Sequence, residues 1–466
     1  MDYLVIAFVG AVFMTILIVC SKWFFSLAQS SVNLLDTFLA PGSEDDKLPL
    51  IEKRTKRLTR DLLLVVALLI VAFAIAAFIP KLYTRFVVTG RPFALNEVWN
   101  IVALSVGATL PLFVPRGTKN KSAYTPLAQL LHHLALDNPN VGLRLQRRDV
   151  KAAEKLGIEQ KNEFVIITGL ARSGTTSLLN TLAPLGPFAS LNYANMPFVL
   201  APRTWARVYR PKDAAVKERS HGDGVMVGLN TNEALEEVFF KAITEDSYIG
   251  ADCVQEHELT VEQYERYLDY QRVVRRSNDD IYIAKNNNFL LRYRSVREHN
   301  PDFTAIILFR EPLHHAFSLL EKHLQYVEMQ EHDPFVLEYM NWLAHHEFGW
   351  GRKGFCFDET HEWAQKAELW PKEHINHWLA LWIAVYAYGV EIDDTNTHFV
   401  SYGEFCSEPT EVVNRILRST ASGREAQNIP SHRNERTVEH DADADLLAEA
   451  ERVYARLLRK ANNERE

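Results

Sequence analysis

The chain has few of the residues that build disulfide frameworks, zinc sites or nucleic-acid-binding surfaces. Its 466 residues include only four cysteines (Cys20, Cys253, Cys356 and Cys406), too few and too scattered for a disulfide framework or a zinc site. They favour a reducing compartment. Lys and Arg (51) are outnumbered by Asp and Glu (59), which gives a formal net charge of −8. General nucleic-acid binding needs a basic surface, so no nucleic-acid partner is expected.

The N-terminal apolar runs lack charges, and the first also lacks the marks of a cleaved signal. Residues 3–20 have neither a basic segment before them nor a small-residue cleavage site after them, so we predict an anchor. Residues 62–80 form a second charge-free run, and both approach the ~20 residues of a membrane-spanning helix. For each, the alternative is a buried core helix. Residues 98–114 are a weaker third candidate, with an interfacial or buried helix as the alternative.

The distribution of positive charge predicts which side of the membrane the rest of the chain faces. The segment before the second run is basic, with Lys53, Arg54, Lys56, Arg57 and Arg60 crowded against it. The positive-inside rule places this segment in the cytoplasm. With three spans the following chain returns to the cytoplasm, whereas with two it lies outside. We expect three spans, and therefore an integral protein of a plasma or inner membrane with a cytoplasmic catalytic domain.

The sequence pattern changes to alternating strands and helices at about residue 164. Strand-like runs at residues 281–284, 304–309 and 398–401 are each followed by helical sequence, which predicts a parallel sheet with helices on both faces. The predicted organisation is listed in chain order: a membrane domain with two to three helices (1–120), a helical connector (121–160), an α/β catalytic domain (161–440) with a helical insertion at about 341–376, and a C-terminal helix (441–466).

A glycine-bounded loop follows the first predicted strand. The stretch at 164–179, FVIITGLARSGTTSLL, reads as an apolar strand, a loop between Gly169 and Gly174, and a helix from Thr175. This arrangement points backbone N–H groups and a helix N-terminus at one anion. The spacing is that of a Walker A loop, but Thr175 stands where that motif requires Lys, and Arg172 supplies the positive charge. The alternative is a glycine turn that only packs a helix on a sheet.

Two motifs together resemble one enzyme family. Arg172-Ser173-Gly174-Thr175-Thr176 resembles the 5′-phosphosulfate loop of sulfotransferases that use 3′-phosphoadenosine 5′-phosphosulfate (PAPS). Arg310, which closes a predicted strand before Glu311 and Pro312, and Ser318 on the next helix resemble the family's 3′-phosphate site. Arg offers a charge-assisted fork to phosphate, and the hydroxyl adds a neutral donor. The resemblance covers about residues 160–420.

The resemblance implies the fold, the cofactor and the residues that bind it. The fold would be a P-loop-like parallel sheet flanked by helices, preceded here by transmembrane helices, and the cofactor would be PAPS, with no metal. Lys285, which three asparagines follow, resembles a Lys that lies near the phosphosulfate in the family. Residues 400–409 resemble a segment near the end of the family's fold, which has a structural role. Arg172 cannot readily give up a proton and would act electrostatically. The implied cofactor-binding residues are Gly169, Arg172, Ser173, Gly174, Thr175, Thr176, Ser177, Arg310 and Ser318.

An acceptor hydroxyl needs a general base, and the family has a His or Glu for this between its two phosphate elements. Glu233, Glu236 and Glu237 lie there on a predicted helix, and clustered carboxylates raise one another's pKa. The alternatives are His221 and a solvated acidic helix face without a catalytic role. With Lys285 and Arg172, these residues complete the predicted catalytic set. The adjacent histidine pairs, such as His345-His346, receive no role.

The chain is thus predicted to be a membrane-anchored, PAPS-dependent sulfotransferase. Tethering suggests a hydroxyl, less favourably an amine, of a lipid, a glycolipid or a lipid-linked saccharide as the acceptor. A P-loop phosphotransferase using ATP and Mg²⁺ is one alternative, which the missing Walker Lys disfavours. A non-catalytic membrane scaffold with a degenerate nucleotide fold is another, which the intact motif residues disfavour. The sequence leaves the acceptor, the choice of base and the oligomeric state open.

Overall fold

The computed structural model describes residues 3–86, 97–113, 122, 124–210, 217–218, 226–227, 234–420, 422–432 and 439–463. The chain divides into two compact units, Met1–Leu134 and Ala135–Glu466. The first unit is helical, and the second contains the predicted α/β sheet.

The N-terminal unit holds one helix that is long and apolar enough to cross a membrane. This helix, α3, is a continuous 43-residue element that contains the predicted span 62–80, and its most apolar stretch has a mean hydropathy of 3.3. Helices α1 and α2 meet the same criterion only as a pair bent by 50°, and α4 is shorter. The predicted count of three spans therefore stays a prediction. The helices are α1 (Tyr3–Val19), α2 (Ser21–Leu39), α3 (Glu44–Phe86), α4 (Val98–Phe113) and α5 (Pro126–Leu136), the last of which crosses the unit boundary.

Two glycines bring α1 and α4 close together. A Cβ atom on Gly107 would lie 1.8 Å from the carbonyl oxygen of Ala7, and one on Gly10 would lie 2.3 Å from that of Leu104. Because no side chain fits at either position, the backbones touch directly. Small residues at helix crossings are the usual basis of packing between membrane helices.

The second unit is built on a five-stranded parallel sheet with the strand order β2-β6-β1-β7-β9. All residues of β1, β6 and β7 are buried, as expected of a parallel sheet covered on both faces. The predicted sheet and its flanking helices are therefore confirmed. The strands are β1 (Phe164–Thr168), β2 (Phe188–Ala189), β3 (Lys217–Glu218), β4 (Met226–Val227), β5 (Cys253–Gln255), β6 (Ile281–Lys285), β7 (Thr304–Phe309), β8 (Gly354–Cys356) and β9 (Thr397–Ser401).

Helices cover both faces of this sheet because alternate strand residues point to opposite sides. In β1, Phe164 and Ile166 belong to one hydrophobic core, and Val165 and Ile167 belong to the other. The helices of this unit are α6 (Pro139–Lys155), α7 (Thr175–Leu182), α8 (Pro202–Val208), α9 (Glu237–Thr244), α10 (Val261–Val274), α11 (Tyr293–His299), α12 (Pro312–His332), α13 (Pro334–Trp342), α14 (His361–Ala367), α15 (Ile375–Val390), α16 (Tyr402–Ser407), α17 (Pro409–Ser419) and α18 (Ala444–Asn463).

The segment predicted as a helical insertion, residues 341–376, also contains a strand. β8 pairs in parallel with β5 outside the main sheet, and Phe355 at its centre is buried. Between α13 and β8 the chain forms a loop, which the helical interpretation did not anticipate. The C-terminal helix α18 buries Ala450, Val453 and Leu457, the spacing of an amphipathic helix.

Candidate functional site

The loop between β1 and α7 has a backbone that requires its glycines. Gly169 and Gly174 have φ values of +134° and +102°, and Arg172 between them has a φ of +71°. A Cβ atom on Gly169 would lie 2.3 Å from the carbonyl oxygen of Leu308, and one on Gly174 would lie 2.5 Å from the ring of Tyr402. Both the conformation and the close contacts therefore exclude other residues. Gly174 is also the N-cap residue of α7.

Two buried side chains, Tyr386 and His315, fix the backbone of this loop by hydrogen bonds. The Tyr386 hydroxyl on α15 donates to the carbonyl oxygen of Leu308 at 2.7 Å and accepts from the backbone N–H of Leu170 at 3.3 Å. His315 on α12 has its Nε2 2.8 Å from the carbonyl oxygen of Ala171. Burial lowers the pKa of His315 to about 3, so the ring is neutral and Nε2 carries the donated proton. The shape of the loop is thus set before any ligand binds.

Replacing Tyr386 with phenylalanine is expected to destabilise the protein by about 1–3 kcal/mol, the cost of leaving buried backbone groups without a partner. The ring itself is buried and would stay packed, so only the hydroxyl contacts are lost. Thermal unfolding of the full-length protein in detergent measures the change. Tyr209→Phe, at an exposed tyrosine directly after α8, is the control, and equal stability of both variants would contradict this role of Tyr386.

The structure brings the two sequence motifs together. Nε of Arg172 in the loop lies 3.3 Å from Oγ of Ser318 on α12. Arg310, directly after β7, has its guanidinium carbon 5.1 Å from the ring centroid of Tyr402. Burial lowers the pKa of Arg310, and the nearby charge of Arg172 lowers it further. Two cations that repel each other across a partly buried site would be stabilised by an anion between them.

Arg172 and Arg310 line a pocket of about 280 Å³. Lys285, buried at the end of β6 and paired in register with Ile167 of β1, joins them on its wall. A larger groove of about 750 Å³ beside β2 contains none of the predicted site residues. The pocket is lined by Ala171, Arg172, Gly174, Thr175, Thr176, Ser177, Lys285, Asn287, Arg310, Lys322, Tyr326, Met340, His345, Glu347, Phe348 and Tyr402. Of the remaining predicted residues, Gly169 and Ser173 lie within the loop, and Ser318 contacts Arg172.

Glu236, one of the predicted bases, is buried among hydrogen-bond donors. Its carboxylate accepts from the hydroxyls of Tyr267 at 2.6 Å and Tyr282 at 2.8 Å, and from Nδ2 of Asn286 at 3.0 Å. Burial raises the pKa of Glu236, although these donors oppose the shift. The side chain is not among those that line the pocket.

Glu237 forms a buried ion pair. Its carboxylate accepts from both terminal nitrogens of Arg292, at 2.7 and 2.6 Å, from Asn286 at 2.8 Å, and from the Tyr248 hydroxyl. Burial alone would raise the pKa of Glu237, but the guanidinium and these hydrogen bonds lower it overall. Asn286 is thus held by both glutamates, directly beside Lys285. This geometry fits a structural support for the end of β6.

The other two predicted bases, His221 and Glu233, lie outside the described residues. Helix α9 begins at Glu237, so Glu236 precedes it. Glu236 and Glu237 do not lie on a solvated acidic face, because both are buried.

Sequence reasoning missed two side chains that line the pocket. His345 and Glu347 lie in the loop between α13 and β8 and line the pocket with Lys285. Oε1 of Glu347 accepts from Nδ2 of Asn287 at 3.2 Å, and Nε2 of His345 lies 3.2 Å from the carbonyl oxygen of Ala234. The loop is far from the glycine motif in sequence, and the His345-His346 pair was its only signal.

No group of three or more His, Cys, Asp or Glu side chains able to hold a metal occurs among the described residues.

The match to one family model shows the family of this chain. A search of curated proteins finds no match. Three solved structures match: sulfotransferase STF9 from Mycobacterium avium (13% identity, 80% of this chain and 86% of that chain, TM-score 0.37), sulfotransferase STF1 from Mycobacterium tuberculosis H37Rv (12%, 72% and 86%, 0.35), and a sulfotransferase from Alicyclobacillus acidocaldarius (14%, 65% and 98%, 0.27). The model of the family described as "Sulfotransferase family" matches residues 165–421, more than half of the chain. The chain therefore belongs to the sulfotransferase family.

Proposed function

We propose that this sulfotransferase takes a sulfuryl group from PAPS and transfers it to a hydroxyl group of a membrane-associated acceptor. The observation that carries the proposal is the meeting of Arg172, Lys285 and Arg310 with a glycine-bounded loop at one pocket. Backbone N–H groups at a helix N-terminus and charge-assisted hydrogen bonds are the standard means of holding phosphate.

The residues of the pocket fit the donor. Gly174 lines the pocket at the N-terminus of α7, where the phosphosulfate would bind. Arg310 and Ser318 would bind the 3′-phosphate. When bound, PAPS supplies an activated sulfuryl group whose leaving group is a phosphate. Arg172 and Lys285, with the hydroxyls of α7, would stabilise the charge that develops during transfer.

The membrane-associated acceptor is supported by two features. The lining of the pocket includes the large side chains of Tyr326, Met340 and Phe348, which offer apolar surface. The N-terminal unit contains α3, whose length and composition suit a membrane anchor. We further propose three spans and a cytoplasmic catalytic unit, with a lipid, a glycolipid or a lipid-linked saccharide as the acceptor class.

The donor is tested by isothermal titration of the detergent-purified full-length protein with adenosine 3′,5′-bisphosphate and with ATP–Mg²⁺. The native protein should bind the bisphosphate in preference to ATP–Mg²⁺. Arg310→Ala should bind it about 10- to 100-fold more weakly, because a hydrogen bond to a charged group contributes about 1.5–3 kcal/mol. Arg276→Ala, beside the larger groove, is the control and should bind normally. A preference for ATP–Mg²⁺ would instead indicate a phosphotransferase.

The acceptor is tested by incubating the native protein with [³⁵S]PAPS and a membrane lipid extract. The expected result is label in the organic-extractable lipid fraction. Sulfation of soluble small molecules alone, with no label in the extract, would contradict a membrane-associated acceptor.

A further inference from the structure

Transfer to a hydroxyl group needs a base, and the buried glutamates are poorly placed to act as one. Glu236 has three donors on its carboxylate, and Glu237 is held by Arg292, Tyr248 and Asn286. A proton accepted by Glu237 would break a buried ion pair. A general base must also reach the substrate within hydrogen-bond distance, and Glu236 does not line the pocket.

Within the described part of the chain, Glu347 is not held in a buried ion pair, and it lines the pocket. It is the one carboxylate among the described residues that line the donor pocket, and its side chain is half-buried. It also borders a small cavity of about 10 Å³ that reaches Lys285 and Asn287. The pocket's apolar wall includes Phe348, the next residue along the chain. Glu347 thus lies between the residues that would hold the donor and the surface that would receive the acceptor.

The position of the Glu347 carboxylate is linked to the phosphate loop. Asn287 donates from Nδ2 to Oε1 of Glu347 at 3.2 Å, while its Oδ1 lies 3.5 Å from Oγ1 of Thr175, the first residue of α7. The Asn287 side chain therefore links the first residue of α7 to the Glu347 carboxylate. Such a fixed position is what a catalytic group requires to act on a bound substrate.

We propose that Glu347 is the general base for sulfuryl transfer, an inference that rests on the function proposed above. As the acceptor oxygen bonds to sulfur, its proton passes to the Glu347 carboxylate. The bond between sulfur and the bridging oxygen breaks, and its electron pair stays on the 5′-phosphate of the departing bisphosphate. The products are a sulfate ester, adenosine 3′,5′-bisphosphate and a protonated Glu347, which returns its proton to solvent.

His345 is the competing residue on the same loop. Its Nε2 lies 3.2 Å from the carbonyl oxygen of Ala234, a contact in which the ring N–H donates, so Nδ1 is the ring atom left to accept a proton. The charged groups that line the pocket with Glu347 are Lys285 from β6, Lys322 from α12, Arg172 from the loop and Arg310 after β7. If His345 were the base instead, Glu347→Gln would transfer label at nearly the native rate.

The test compares Glu347→Gln with the native full-length protein. Glutamine keeps an oxygen that can accept from Asn287, so the pocket is preserved while the base is removed. Transfer of ³⁵S from PAPS to lipid extract should fall about 100- to 10,000-fold. Binding of adenosine 3′,5′-bisphosphate by titration should stay the same or tighten a few-fold, because one negative charge near a polyanion is gone. Glu338→Gln, exposed on α13, is the matched control and should transfer normally.

Each outcome has a definite meaning. If the native protein neither binds the bisphosphate nor transfers label, the proposed function itself fails and this inference fails with it. If the native protein transfers label and Glu347→Gln transfers at the same rate, the proposed function stands and the assignment of Glu347 is overturned. Loss of bisphosphate binding in Glu347→Gln would also overturn it, since the residue would then act in donor binding. Partial recovery of Glu347→Ala by added formate would support a base, because a structural residue would not be replaced by a soluble carboxylate.

Discussion

Gly174→Ala is expected to weaken binding of adenosine 3′,5′-bisphosphate at least about 100-fold, which corresponds to roughly 2.7 kcal/mol. Two effects act together. The φ of +102° is a conformation that residues with a Cβ atom rarely adopt. The added methyl would also lie 2.5 and 2.8 Å from two ring carbons of Tyr402, so the ring must move. Because Tyr402 stacks near the Arg310 guanidinium, its displacement disturbs the second phosphate site as well.

Gly157→Ala is the control that separates the effect of a positive φ from the effect of the clash with Tyr402. Gly157 also has a positive φ, of +72°, but a Cβ atom there would have no neighbour within 4 Å. Its replacement should cost some stability through backbone strain and leave bisphosphate binding unchanged. Titration and thermal unfolding of both variants make the comparison. Native-like binding by Gly174→Ala would show that the loop does not hold the donor as proposed.

Arg292→Ala is expected to lower the free energy of unfolding by about 3–5 kcal/mol, the usual cost of breaking a buried ion pair. The Arg292 side chain is fully buried and that of Glu237 is only 5% exposed. The guanidinium carbon also lies 4.0 Å from the ring centroid of Phe240. Removing it leaves the Glu237 carboxylate buried without its cation. Arg294→Ala, which breaks the half-exposed pair with Glu359, is the control and should cost at most about 1 kcal/mol.

The pH dependence gives this prediction a second test. The pKa of Glu237 is lowered in the native protein, so its ion pair stabilises the fold at neutral pH and this stabilisation is lost as the pH falls through the lowered value. In Arg292→Ala the unpaired carboxylate should instead gain a proton more easily. The stability gap between native and variant should therefore narrow on acidification, measured by thermal unfolding at neutral and acidic pH. A double variant, Glu237→Gln with Arg292→Ala, should recover part of the loss, and a gap independent of pH would contradict the argument.

The glycine-bounded loop was predictable because it depends on contiguous sequence. Strand composition, two glycines at a fixed spacing and Arg172 define it within one short stretch, and Arg172 and Gly174 line the pocket. Arg310 and Ser318 were predicted from a second short motif. Lys285 was predicted from its resemblance to a family Lys at the end of a strand. In each case a parallel sheet brings the carboxyl ends of its strands to one edge, so separate motifs converge.

The carboxylate on the pocket wall was not predictable in the same way. Glu236 and Glu237 lie in the region where a base was predicted, yet the fold buries them against tyrosines and Arg292. Glu347 had no motif around it. Its place on the pocket wall depends on the contacts of the loop after α13 with residues distant in sequence, such as Asn287.

The amino-acid sequence by itself determined the parallel α/β sheet, the glycine-bounded loop and the cations beside it, because each depends on local backbone preferences and on short spacings. Only the tertiary structure decided which acidic groups are buried supports and which line the pocket. Burial and hydrogen-bond partners make that distinction, and the partners come from distant segments such as α10 and β6.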